Sequence, residues 1–143
     1  MLKTIHPMAG ALALATITSF WLSTLISEMA GARAAVIAVK TAVPWGLLLL
    51  VPALAAAGLS GRALAKGGRA GAKGRRMPII AANGLCLLAP AAFFLAHKAQ
   101  AGQFDTAFYA VQALELAAGA INIALLGLNL RDGLIMAGRI GRR

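Results

Sequence analysis

The chain has 143 residues, 60% of them hydrophobic and only 13% charged, with a formal net charge of +10. Soluble domains carry about half apolar and about a quarter charged residues, so this composition argues against an ordinary globular enzyme, and the length allows one domain. The basic residues lie between and after long apolar blocks, which argues against nucleic acid as the partner that the positive charge serves.

Four apolar blocks follow one another, each about the length that spans a hydrocarbon core. The first, a helix predicted over about 7–27, runs from Pro7 to Ser27 without a charge, and proline suits a first helical position. Ala30-Gly31-Ala32 resembles a signal-peptide cleavage site, but the apolar run is longer than a signal peptide's, so the segment is expected to remain as a span. Thr16, Ser19, Ser23 and Ser27 recur at helical spacing and predict a hydroxyl stripe facing other helices.

The second helix is predicted over about 38–60, with Lys40 near its start. Pro44 and Pro52 each remove a backbone donor and predict kinks. Residues 61–76 then hold Arg62, Lys66, Arg69, Lys73, Arg75 and Arg76 among glycines, and read as a basic loop able to dock on anionic lipid headgroups at about 1 kcal/mol per charge.

The third helix is predicted over about 77–98, with Asn83, Cys86, Pro90, Phe94 and His97 on one face. Cys86 is the only cysteine, so no intrachain disulfide forms, and the absence of CxxC and CxxCH argues against disulfide exchange and c-type haem attachment. The fourth helix is predicted over about 105–131. Gln112, Glu115, Gly119, Asn122, Leu126 and Asn129 recur along it in steps of three and four, forming a polar seam that should point into protein.

The fold class that follows is an all-α integral membrane protein: a single antiparallel four-helix transmembrane bundle over residues 1–143, ordered up-down-up-down because its loops are short. If all four blocks span, eleven of the fourteen Lys and Arg residues share one side: Lys3, the six of residues 61–76, Arg131, Arg139, Arg142 and Arg143. Arg33, Lys40 and Lys98 belong to the other side. The positive-inside rule then places both termini and the basic loop in the cytoplasm of a bacterial-type inner membrane.

Glu115 is the sharpest chemical lead, since a bare carboxylate deep in a span must be paired, hydrated or protonated. Lys40 enters from the same side on the second helix and is its expected partner. Gln112, Trp21 and His97 fall in the same outer half, so the five are expected to form a site for a small ligand, a quinone headgroup or protons. His6, at the opposite mouth near Met8 and Met77, is a candidate axial ligand for haem b.

No HExxH, GxSxG or Walker-type loop occurs. Three functions remain open: a redox-associated subunit binding haem b or a quinone, a small proton- or ion-coupled carrier using Glu115 and Lys40, and a non-catalytic accessory subunit. The expected partners are the bilayer and either further copies of the chain or a larger membrane complex.

Overall fold

The computed structural model describes residues 1–64, 71–139 and 141. Among these, all regular structure is helical: α1 (Leu2–Met29), α2 (Arg33–Leu64), α3 (Gly71–Asn83), a π-helical turn (Gly84–Leu88), α4 (Ala89–Gln100) and α5 (Thr106–Met136). With α3 and α4 counted as one rod, four helices are long and apolar enough to cross a membrane. Lys66, Arg69, Arg142 and Arg143 of the basic set, and the side chains of Lys3 and Lys73, lie outside the described residues.

The helices run further than their apolar blocks. α2 starts at Arg33 and continues to Leu64, and α3 restarts at Gly71, so much of the segment read as a basic loop is helical. Charge at a helix end is solvated where the helix leaves the apolar layer, so hydropathy marks the buried length and not the hydrogen-bonded length. α2 also stays helical through Pro44 and Pro52.

The helices form a ring. α1 packs on α2 and α5, α2 packs on α4, and α3 and α4 pack on α5, while α2 and α5 face each other across the core without backbone contact. Contacts fix the register at each seam. His6 Nδ1 lies 3.0 Å from Ala57 O, Gln100 Nε2 donates to Thr41 Oγ1 at 3.4 Å, and Asn83 Nδ2 donates to Ala118 O at 2.9 Å. At the seam of α1 and α2 the Phe20 ring lies directly over Gly46, where any Cβ would overlap it.

The α1–α2 and α4–α5 connections are tight. Gly31 takes φ 65° just after α1, and Gly102 takes φ 69° just after α4. Gln103 N–H then reaches back to Lys98 O at 2.9 Å, satisfying a carbonyl that the helix end leaves over. Asp105 caps α5 by accepting from Phe108 N–H at 2.9 Å. Lys98 Nζ, 2.5 Å from Asp105 Oδ2, clips the turn from its outer side.

The π-turn has a local cause and a long-range effect. Pro90 carries no N–H for the carbonyl of Cys86, and its ring would crowd that carbonyl in a regular helix. The wider turn, with Ala89 N–H bonded to Gly84 O, relieves the crowding. It also adds a residue, rotating α4 by roughly 100° from the phase that Asn83 would dictate. The face expected inward is therefore turned out: Cys86, Pro90, Phe94 and His97 are exposed, and α4 buries Ala91, Ala92, Leu95, Ala96 and Ala99 instead.

The hydroxyl stripe of α1 is a second correction. Thr16 and Ser19 donate to Leu12 O and Ala15 O of their own helix, both at 2.8 Å, and Ser19 and Ser23 face outward. A hydroxyl satisfied by its own helix needs no partner across an interface. The inward face of α1 is Ala13, Ile17, Thr24 and Ser27.

Candidate functional site

Lys40 sits in the second turn of α2 and is 1% exposed. Its four-carbon stem crosses the core to α5, where the ammonium forms an ion pair with Glu115 Oε2. Nζ also lies 3.4 Å from Thr24 Oγ1 on α1. One side chain thus ties three helices together, two of which have no backbone contact with each other. Taking both charges out of water is expensive, and it is repaid only where the pair is close and its remaining groups find partners.

Around this node the polar seam of α5 is buried or half-buried at every position. Trp21 packs against Gly119, where a Cβ would come within 3.1 Å of its ring, and its indole N–H donates to Leu116 O at 2.9 Å. A cavity of about 50 Å³ opens beside Glu115, between Phe20 and Trp21 of α1, Leu47 of α2 and Ala92 of α4. That is room for more than one water molecule against a carboxylate.

Farther along α5, Asn122 is 1% exposed and anchors the α3 seam. Its Oδ1 accepts from Asn83 Nδ2 at 2.9 Å, and its Nδ2 donates to Ile80 O at 3.3 Å. At the far end Arg76 donates to Asp132 Oδ2 at 2.6 Å and to Asn129 Oδ1 at 3.4 Å. These bonds align α3 on α5 and leave the Lys40 node as the ion pair of the interior.

Of the five residues expected to cluster, Lys40, Glu115, Gln112 and Trp21 lie on inward faces of their helices. His97 does not join them. The rotation of α4 puts it on the outer surface, where it lines a groove of about 390 Å³ with Thr41, Pro44, Trp45, Phe93 and Gln100. Thr24 and Glu28 were not singled out from the sequence. Thr24 lies three residues from Trp21 and sixteen from Lys40, and only the phase of α1 distinguishes it from Ser23.

At the other end of the bundle His6 is enclosed by α2. Its Nδ1 lies 3.0 Å from Ala57 O and 3.2 Å from Ser60 Oγ, and the ring rests against Gly61. Met77 turns inward, its sulfur 3.5 Å from Asn129 Nδ2 and its methyl against Gly58. Met8 faces outward at 66% exposure. The geometry gives His6 and Met77 a packing role and adds nothing toward haem ligation. Among the described residues no three His, Cys, Asp or Glu side chains gather to hold a metal ion.

Comparison with protein-family models, curated proteins and solved structures gave no match. Fold and site therefore define a class by themselves: an all-helical bundle with four helices of membrane-spanning length and an ion pair across its interior.

Proposed function

We propose that this chain is a small multi-pass inner-membrane carrier that handles a proton or ion at Lys40 and Glu115. The observation that carries the reading is the ion pair itself, with a 1% exposed ammonium joined across the core to a carboxylate that borders a cavity. Charged side chains at such depth are costly, and where they persist they mark ion or proton pathways. When Glu115 takes a proton, Lys40 loses its counter-charge, and the ion pair that joins α2 to α5 loosens. Protonation and helix packing are coupled through that step.

The proposed arrangement is up-down-up-down, with both termini and the basic segment cytoplasmic. The register supports it. The start of α1 meets the end of α2 at His6 and Ala57, and the end of α1 meets the start of α2 at Thr24 and Lys40. The end of α4 likewise meets the start of α2 at Gln100 and Thr41. The excess of Lys and Arg at one end supports the orientation.

Proteoliposomes with a trapped pH indicator test the carrier. The expected result is flux down an imposed gradient in the wild type and its loss in Glu115→Gln. Equal flux in both would reject the carrier and leave the pair a structural one.

A redox-associated subunit is the second reading, and the outer groove favours its quinone form. Trp45 and Phe93 offer aromatic faces there, beside the polar groups of His97, Gln100 and Thr41. A visible spectrum before and after dithionite separates the haem form, because a bound haem gives a Soret band that sharpens and shifts on reduction and a quinone gives none.

A further inference from the structure

Among the described residues, two side-chain oxygen atoms are buried without a hydrogen-bond partner: Glu28 Oε1 on α1 and Gln112 Oε1 on α5. Both are acceptors, and Gln112 is 5% exposed. Native interiors seldom leave such atoms unpaired, so each calls for an explanation.

Register brings the two together. Thr24 and Glu115 are both held on Lys40 Nζ, so they lie at one level of the α1–α5 seam. Trp21, bonded to Leu116 O and packed on Gly119, gives the same alignment one turn deeper. Glu28 stands one turn beyond Thr24 on the same face of α1, and Gln112 stands one turn before Glu115 on the same face of α5. The two helices run past each other so that these steps lead in the same direction, toward the α1–α2 turn. Glu28 and Gln112 therefore face the same gap, one turn outward from the ion pair.

Charge says what fits the gap. Lys40 is matched by Glu115, and Lys98 is matched by Asp105. Arg33 lies 5.5 Å over the Phe104 ring at the start of α2. Glu28 forms no ion pair among the described residues, so one carboxylate is left over inside the seam. The last turn of α1 carries no basic residue, and its carbonyl ends add further negative potential there. A carboxylate oxygen and an amide oxygen are hard donors that suit alkali cations rather than soft metals. A single carboxylate beside an amide oxygen, with Arg33 nearby, favours a monovalent ion over a divalent one.

We infer that Glu28 and Gln112 form a binding site for a small monovalent metal cation of the sodium class, at the outer mouth of the Lys40–Glu115 pair. The inference deepens the carrier reading by naming its coupling ion, and rests on that reading for the ion's use though not for its binding. Glu28 is only half-buried, which opens the site toward the outer side, and the ion pair stands directly behind it.

The test is the melting temperature of the purified full-length chain in detergent, titrated with NaCl against choline chloride at constant ionic strength. A ligand that binds only the folded state raises the melting temperature with its concentration. The expected result is a saturable rise in Na⁺ that choline does not give, with its midpoint shifted at least tenfold upward in Gln112→Leu and in Glu28→Gln. If either variant fails to fold, line broadening of the ²³Na resonance by the wild type, reversed by excess Li⁺, serves as the second measurement.

Identical melting in Na⁺ and choline, with no broadening, would overturn the site. So would melting that follows pH alone, which would assign the two oxygens to a shared proton. Sodium stabilisation that persists while Glu115→Gln leaves flux unchanged would keep the site and remove the carrier. Glu115-dependent flux without any sodium effect would do the reverse.

Discussion

Lys40 and Glu115 stand 75 positions apart in the chain and meet in the middle of the bundle, on two helices whose backbones do not touch. The lysine stem makes the crossing possible. α2 begins earlier than its apolar block, so Lys40 lies seven residues inside the helix and Glu115 nine residues inside α5, or roughly 10 and 14 Å along the two axes. A side chain of lysine's length spans the remaining difference, and no shorter cation does.

Breaking the pair from one side leaves a charge stranded. Lys40→Ala is expected to destabilise the bundle by about 3–5 kcal/mol, because Glu115 then has no counter-ion in the core. Lys40→Met combined with Glu115→Leu should recover most of that loss while abolishing flux. Melting temperatures of the single and double variants in detergent form the cycle that checks this, and a double variant as unstable as the single would contradict it.

Close packing of α1 on α2 depends on Gly46, which gives the Phe20 ring its place. Gly46→Ala forces the ring aside and is expected to cost about 1–3 kcal/mol, the range for overpacked interiors. Phe20→Leu in the same chain should restore part of it. The comparison is made by thermal unfolding, and equal stability of Gly46→Ala and wild type would count against the contact.

Asn122 joins α3 to α5 through Asn83 and Ile80 O. Asn122→Ala is expected to cost about 0.6 kcal/mol and at most about 1.7, the mean and the maximum for hydrogen bonds between membrane helices. Asn83 keeps its bond to Ala118 O, so the loss stays near the mean. Hydrogen exchange should show the effect confined to α3 and the facing turns of α5, and protection lost evenly over all four helices would speak against it.

The turn between α4 and α5 carries a pH dependence of known sign. The bond from Lys98, and next the Phe108 N–H, hold the Asp105 carboxyl below its ordinary value of 3.8. A carboxyl with a lowered value in the folded chain contributes stability that is complete above the ordinary value and is lost as pH falls through the lowered one. Acid should therefore loosen this turn, and Asp105→Asn should remove the acid-dependent part. The check is hydrogen exchange at the first turn of α5 against pH, and an unchanged acid response in Asp105→Asn would reject the assignment.

The legible part of this protein was what one helix at a time encodes. Apolar length marked four helices long enough to cross a membrane, and the three-and-four spacing of Gln112, Glu115, Gly119, Asn122, Leu126 and Asn129 marked the buried face of α5, because an unbroken helix keeps its phase and polar groups seek an interior. Helix ends were less legible, since charged turns at Arg62–Leu64 and Gly71–Arg76 stay helical after hydropathy has fallen.

Phase failed where the backbone departs from 3.6 residues per turn. The π-turn at Gly84–Leu88 moved His97 out of the expected cluster and onto the outer groove, and no count of residues along the third helix predicts that rotation. Ser23 and Thr24 are equally plausible on paper, and only the seating of α1 between α2 and α5 turns Thr24 to Lys40.

The sequence by itself determined how many helices of membrane-spanning length the chain forms and which of them carry charge in their interiors, because those follow from local transfer energies and helical periodicity. Only the tertiary structure decided that Lys40 crosses the core to Glu115, that an oxygen of Glu28 and one of Gln112 are buried without a partner, and that His97 looks outward. Those facts depend on the rotation and level of each helix against its neighbours, which many side chains set jointly and no single segment contains.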